Sequence, residues 1–486
     1  METLDVKKLV CRCHAGYQVL LIALVVLFAA PTSVLAHGGH GPTNIQTFTQ
    51  AIGPYELAVT VEIPPSVPAP LYLTIDPQSD VTDAKMDFRA VPRGQSFDGA
   101  PVAEVMGLPG PQGAYLSELP VDRYGDWDME VRISGPKGSG TARIPFTITV
   151  QPLPVGSIGL FAALGGLVVL MITSIALAAT YQRKGRPAPG WANWLIGQAM
   201  FACLIVAVIF GIQQFSAAIQ SASAQAAAAQ GTLSSTATAF GRPHVNMALH
   251  ITPTSGASAP TAGQSLTLTL DLSDGSTGLP VEDIIPHHEA LVHLVVISAD
   301  SGYFNHIHPA RTAPGRYAIA LTPDRPGSYT AYAEIQRQDS GTQVIDRSFE
   351  VGGTANNSPP PSTEGLGQRA VADMQVDVTA SVASFTAGKQ ATFTFSFSKD
   401  GKPVADLQPW LGMGGHMIAR SVDQATFAHV HAQGVMAPSG ILASGIVYGP
   451  EIRFVYTFPQ PGRYQIWGQF KRAGQIVTVP LAVKVQ

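Results

Sequence analysis

The stretch His293-Leu294-Val295-Val296-Ile297-Ser298-Ala299-Asp300-Ser301-Gly302-Tyr303-Phe304-Asn305-His306-Ile307-His308 decides how this chain is read. Leu291 to Ile297 is an apolar run of strand length, Ala299 to Gly302 is turn chemistry, and Tyr303 to His308 is the returning strand. If Ser298 pairs with Tyr303, His293 lies opposite His308. His306 and His308, two apart, share a face of their strand because side chains alternate with a period of two. Three imidazoles then converge on one face of a hairpin. A turn longer by one residue would reverse the parity and break the convergence.

The same construction occurs twice. His293, Phe304, His306 and His308 recur with identical spacing as His416, Phe427, His429 and His431. Upstream, Thr261-Ala262-Gly263 and the alternating Leu266-Thr267-Leu268-Thr269-Leu270 recur as Thr386-Ala387-Gly388 and Ala391-Thr392-Phe393-Thr394-Phe395, and Met247 matches Met374. Downstream, Pro326-Gly327-Ser328-Tyr329 recurs as Pro461-Gly462-Arg463-Tyr464, after about a dozen extra residues in the second copy. Shared landmarks in one order predict a duplication: two β-sandwiches of immunoglobulin or cupredoxin type, over 243–352 and 370–486.

Working outward, 353–369 and the Ala/Ser-rich 215–242 read as linkers or, for the latter, a stalk. Residues 37–152 alternate turn signals with β-prone runs such as Tyr55 to Val61 and Pro145 to Val150, and predict a third sandwich. Between them lies a predicted transmembrane hairpin, 153–214. Ser157 to Thr180 carries no charge, Arg183, Lys184 and Arg186 follow, and a second apolar stretch runs from Trp191 to Ile212. The basic loop belongs on the cytoplasmic side and Tyr181, Trp191 and Trp194 at the interface. At the start, Lys7, Lys8 and Arg12 precede the apolar Tyr17 to Ala30, and Val34 and Ala36 supply small or aliphatic residues. This describes a signal peptide over 1–36, cleaved after Ala36, or an uncleaved anchor. The expected architecture is mainly β: three sandwiches, a two-helix membrane hairpin and an N-terminal signal segment, on a multi-pass membrane protein with its large domains outside.

Composition agrees with export and argues against other classes. The three cysteines, Cys11, Cys13 and Cys203, all fall outside the predicted sandwiches, so disulfides do not staple them. Net charge is −4 without a long basic run, which argues against nucleic acid as a partner. The expected partners are the lipid bilayer, a metal ion, and envelope or membrane proteins.

Imidazole is a ligand for copper, zinc and nickel. The candidate metal ligands are His293, His306 and His308 in the first copy and His416, His429 and His431 in the second. His287 and His288 stand nearby in the first copy, and Met413 and Met417 in the second, where thioether sulfur would favour Cu(I). His37 and His40 form a separate candidate, since cleavage after Ala36 would free the His37 amine. Without a cysteine a blue-copper centre is excluded, and no Ser or Cys stands with the histidines in a nucleophile motif, so an enzyme is not expected. Histidines repeated by duplication are also compatible with packed, hydrogen-bonded core residues.

The residues His293 to Ile297, Tyr303 to Pro309 and the later Pro-Gly-x-Tyr strand resemble exported bacterial domains of the YtkA-like kind, small β-sandwiches found beside copper-resistance proteins. The second copy departs from that pattern, with Ala432 where Pro309 stands and Gly-Met-Gly-Gly before His416. The resemblance implies metal association without an activity. Two functions are therefore expected: binding, buffering or delivery of metal, copper ahead of zinc, or an envelope scaffold whose histidines are structural.

Overall fold

The computed structural model describes residues 45–64, 66–106, 114–149, 155–185, 242–338, 340–354, 365–434 and 445–486, with isolated positions between 190 and 205. The signal segment, His37 and His40 lie outside these residues, as do 215–241 and most of the interval 353–364.

The chain is mainly β, and its described residues form six antiparallel sheets, two to each of three blocks. In the first block, 45–148, one sheet runs in the order Ile45–Ile52, Tyr55–Glu62, Ala69–Pro77, Tyr115–Val121, and the other Ala103–Met106, Lys85–Pro92, Gly125–Gly135, Gly138–Ile148. In the second, Leu266–Asp274 lies between Val245–Pro253 and Arg316–Leu321, while Gly327–Arg337 lies between Val292–Ser298 and Thr342–Val351. The third repeats this plan: Gln390–Lys399 between Met374–Ala380 and Glu451–Thr457, and Gly462–Arg472 between His416–Ser421 and Gln475–Val485. The third block begins inside the stretch read as linker, because Gly367–Val371 forms a hairpin with Met374–Ala380 across a turn in which Ala372 adopts positive φ.

One local device recurs in all three blocks. Trp127 Nε1 donates to the Arg123 carbonyl, Tyr329 Oη to that of Arg325 and Tyr464 Oη to that of Gln460, each four residues back. Two residues before each aromatic stands a glycine at φ of 120°, 130° or 146° (Gly125, Gly327, Gly462), a backbone conformation open to a residue without Cβ. The Pro-Gly-x-Tyr motif is thus a corner that pins the start of a central strand.

Alternation decides which side chains enter each core. Leu266–Asp274 buries every second residue, as a strand with one solvated face should. Val292–Ser298 and His416–Ser421 are buried at every position, so both faces of these strands are covered. Val292, Leu294 and Val296 point into the block's own core; Met417 and Ala419 do the same in the third block. Val295 and Ile297 join Ile418, Phe427, Tyr332 and Trp467 in a separate apolar cluster between the two blocks. The copies therefore pack sheet against sheet through the faces that carry the histidines.

The first block is fused to the second. One continuous apolar core spans both. Ala51 N–H donates to the His308 carbonyl at 2.8 Å and bridges Pro309 in parallel, and buried Arg311 donates to Asp128 at 3.0 Å.

A helix, Val155–Arg183, separates them in sequence, and its portion Gly165–Arg183 is long and apolar enough to cross a membrane. It is the one such helix among the described residues. The second expected span, Trp191 to Ile212, lies largely outside them, although positions 190, 191, 194, 196–201 and 205 are helical.

Candidate metal centre

Both hairpins take the register that the turn chemistry requires. Leu294 pairs with Ile307 and Ile297 with Phe304, and the Ser298 N–H donates to the Tyr303 carbonyl at 3.1 Å, so His293 stands opposite His308. In the second copy His416 pairs directly with His431. Ser301 and Gln424, at matching turn positions, both have positive φ, of 61° and 65°. Each hairpin thereby gathers three imidazoles whose nearest nitrogens lie within 4.8 Å of one another.

The hydrogen-bond pattern around the rings fixes which nitrogens are bare. His293 Nε2 lies 2.7 Å from the His287 carbonyl, and His416 Nε2 lies 3.1 Å from that of Trp410. Carbonyls only accept, so both Nε2 atoms carry hydrogen and both Nδ1 atoms offer lone pairs. His308 Nδ1 donates to Glu56 Oε1 at 2.8 Å. His306 Nδ1 donates to Gln469 Oε1 at 3.0 Å, the amide being oriented by its own donation to Thr478. In the first copy three bare nitrogens, His293 Nδ1, His306 Nε2 and His308 Nε2, thus remain on the inner side.

Two of these, His293 Nδ1 and His306 Nε2, stand 3.2 Å apart, and their counterparts on His416 and His429 stand 2.9 Å apart. Two nitrogens each about 2.0 Å from one ion are about 3.3 Å apart at a tetrahedral angle and about 2.8 Å at a right angle. The observed spacings fall in that range. The third ring of each set, His308 and His431, has a buried Nε2 with no partner. An orphaned buried acceptor costs about 1–3 kcal/mol, a cost that a coordinated ion removes. Outward donation from the remote ring nitrogen to a carbonyl, amide or carboxylate oxygen is the outer support that metal-binding histidines use.

Burial pushes His293, His306, His416, His431 and His288 well below the ordinary imidazole range, with neighbouring histidines adding to the effect, and lowers His287 as well. For these six rings burial favours the neutral form, the form in which imidazole coordinates. Glu334, wholly buried, would be raised by desolvation, yet the charge and hydrogen bond of His429 hold its carboxyl below the usual range.

The copies exchange their outer supports. His306 of the first copy is held by Gln469 of the second, and His429 of the second by Glu334 of the first at 3.0 Å. Phe304 stacks on Trp467 at 4.6 Å and Phe427 on Tyr332 at 4.2 Å, again reciprocally. Glu334 and Gln469 face His293 and His416 in the register of their sheets, so they are equivalent positions. Sequence reasoning missed both, although each stands five residues after the Tyr of the repeated Pro-Gly-x-Tyr motif. Glu56 had no such signal.

The pseudo-symmetry breaks at one turn. His287-His288-Glu289-Ala290 corresponds to Trp410-Leu411-Gly412-Met413, and in both the second and third residues have positive φ. His288 stacks on His431 at 3.6 Å and His287 lies 5.6 Å from it, forming a third group of imidazoles close enough for an ion. In the place equivalent to His287, Trp410 stands 6.4 Å from His308 and 5.3 Å from His306. Met413 is buried and its backbone closes this turn by two hydrogen bonds with Trp410. Met417, read as a nearby ligand, is corrected: it alternates away from His416 into the core of its own block.

Comparison with known proteins bears on the duplication. A family model described as a domain of unknown function, DUF8832, matches residues 248–352 and again 369–486, together less than half of the chain. Both segments are similar to that one model, which supports an internal repeat. No curated protein matches the chain. Similar solved structures include a tetra-tandem repeat of a large adhesion protein (9% identity, 87% of this chain and 72% of that one, TM-score 0.17). Others are the Escherichia coli adhesin FdeC (11%, 93% and 99%, 0.16) and the chicken CNTN1 FN1–FN3 domains (9%, 90% and 97%, 0.15). Scores this low carry no argument about function.

Proposed function

We propose that this chain is a membrane-anchored, extracytoplasmic metal-binding protein that holds copper for buffering or delivery, through His293/His306/His308 and His416/His429/His431. One observation carries the reading: three buried imidazoles in each copy gather within reach of one ion, and the outer nitrogens of His293, His306, His308, His416 and His429 meet oxygen atoms. An all-imidazole set suits copper, zinc and nickel, and the affinity order of divalent ions favours Cu(II). With Met417 in the core of its block, Met413 is the one thioether left to favour Cu(I) among the residues read as ligands.

The blocks are read as immunoglobulin- or cupredoxin-like sandwiches, as the resemblance to YtkA-like domains implies. The apolar helix Gly165–Arg183 and the basic residues after it support an anchor. We read it, with the stretch from Trp191 to Ile212, as a hairpin that leaves all three blocks outside, where the bilayer and envelope proteins are the partners. The role is binding, without turnover.

The test is copper titration of the full chain in detergent, wild type against His306→Ala/His308→Ala and His429→Ala/His431→Ala, with folding followed by circular dichroism. Saturable binding lost in the variants while the β signal persists supports the proposal. A folded wild type that takes no copper leaves a scaffold with structural histidines as the better account.

A further inference from the structure

Resting on that reading, we propose that the two three-histidine sets form one dinuclear copper centre, built across the junction of the repeats and unequal in its two halves. Within the first set the ring centres are 5.5, 5.1 and 5.1 Å apart, and within the second 5.1, 5.1 and 4.7 Å. A near-equilateral triangle of that side has its centre about 3 Å from each corner. This is where an ion sits when it is about 2.0 Å from a ring nitrogen. Each triangle is therefore sized for its own ion.

The two triangles interlock. His293 and His306 lie 5.0 and 4.9 Å from His429, and His306 lies 6.0 Å and His293 6.5 Å from His416. Rings of different sets are as close as rings of one set, which keeps the two ions within about 10 Å, each about 3 Å from its own ring centres. Neither half is complete without the other copy, because the supports of His306 and His429 come from across the junction. A single repeat would hold three histidines but leave His306 or His429 without its orienting partner.

The halves differ in what can be added. His287 and His288 reach His431 from the first copy and bring further imidazoles to the second half. Trp410 occupies the matching place over the first half and offers no ligand. The second half thus fills first, and the first half holds the second ion with three nitrogens.

The test uses the full chain carrying His37→Ala/His40→Ala, so that the N-terminal histidines do not contribute. Cu(II) is added in steps under oxidising conditions, with bound copper counted by elemental analysis and followed by electron paramagnetic resonance. One equivalent should give an isolated Cu(II) spectrum. The second should broaden it and bring up a half-field transition, the mark of two spins within about 10 Å. His308→Ala should stop at one equivalent and keep the first spectrum. His288→Ala should blur the order of filling while two ions still bind. Two ions at full, unbroadened intensity, or saturation at one ion in wild type, overturns the dinuclear centre and leaves copper binding standing. No bound copper overturns both.

Discussion

His429 Nδ1 stands 3.0 Å from Glu334 Oε2 across the junction of the two repeats, whereas the equivalent ring, His306, faces the neutral amide of Gln469. A carboxylate partner makes imidazole a better donor to a metal than an amide does. Glu334→Gln should therefore lower copper affinity about 10–100-fold in the second half alone, measured by competition against a chelator of known affinity. The reciprocal Gln469→Glu should tighten the first half. Equal effects on both halves would contradict the assignment.

Glu56, which belongs to the first block, accepts from His308 at 2.8 Å. Glu56→Gln keeps the shape but weakens the acceptor. The expected result is a loss of about 10–100-fold in the first half, with the second half untouched. A titration in which only the weaker of two binding steps moves would establish this support from a block that carries no ligand itself.

Acid should unfold the metal-free protein through His293, His306, His416 and His431. Their folded pKa values are pushed below the ordinary value of about 6.5, chiefly by burial. As pH falls below that value the unfolded chain takes up protons that the folded chain refuses, so stability drops with falling pH until the buried rings also titrate. The melting temperature of the copper-free chain should fall between pH 7.5 and 5.5, and less steeply in His306→Gln/His416→Gln. A melting temperature that holds or rises would mean that the rings are not held neutral.

Trp410 lies 5.3 Å from His306 and 5.0 Å from His416. Bound Cu(II) at that range should quench indole emission. Trp410→Phe should remove most of the quenching while the amount of copper bound stays the same. Quenching that survives the substitution would place the ion elsewhere.

The hairpin was legible because its chemistry is local. A turn bounded by Ser298 and Tyr303 sets the parity of every residue that follows, and the second copy states the same spacing again. The junction was not legible as such, but a trace of it was. Val292 to Ile297 is apolar or histidine without alternation, and a strand so written needs cover on both faces. Nothing in the order of residues says that the second cover is the other repeat. The asymmetry showed in the sequence only as Gly-Met-Gly-Gly before His416 in place of His-His-Glu; the matching of Trp410-Leu411 to His287-His288 comes from the two turns, one of which leans across the junction. Glu56 lies 252 residues from His308, and no pattern of period two or seven links positions so far apart.

The continuous core of the first two blocks has a consequence for the segment between them. The chain leaves this body at Ile148, runs through the apolar helix, and rejoins the same body at Val245. The inserted segment is therefore a loop with both ends fastened to one particle, and its covalent continuity does not hold that particle together. A polypeptide nicked by a protease between Arg183 and Arg242 should run as two bands under denaturing conditions and migrate as one species under native ones, with its histidine centre intact.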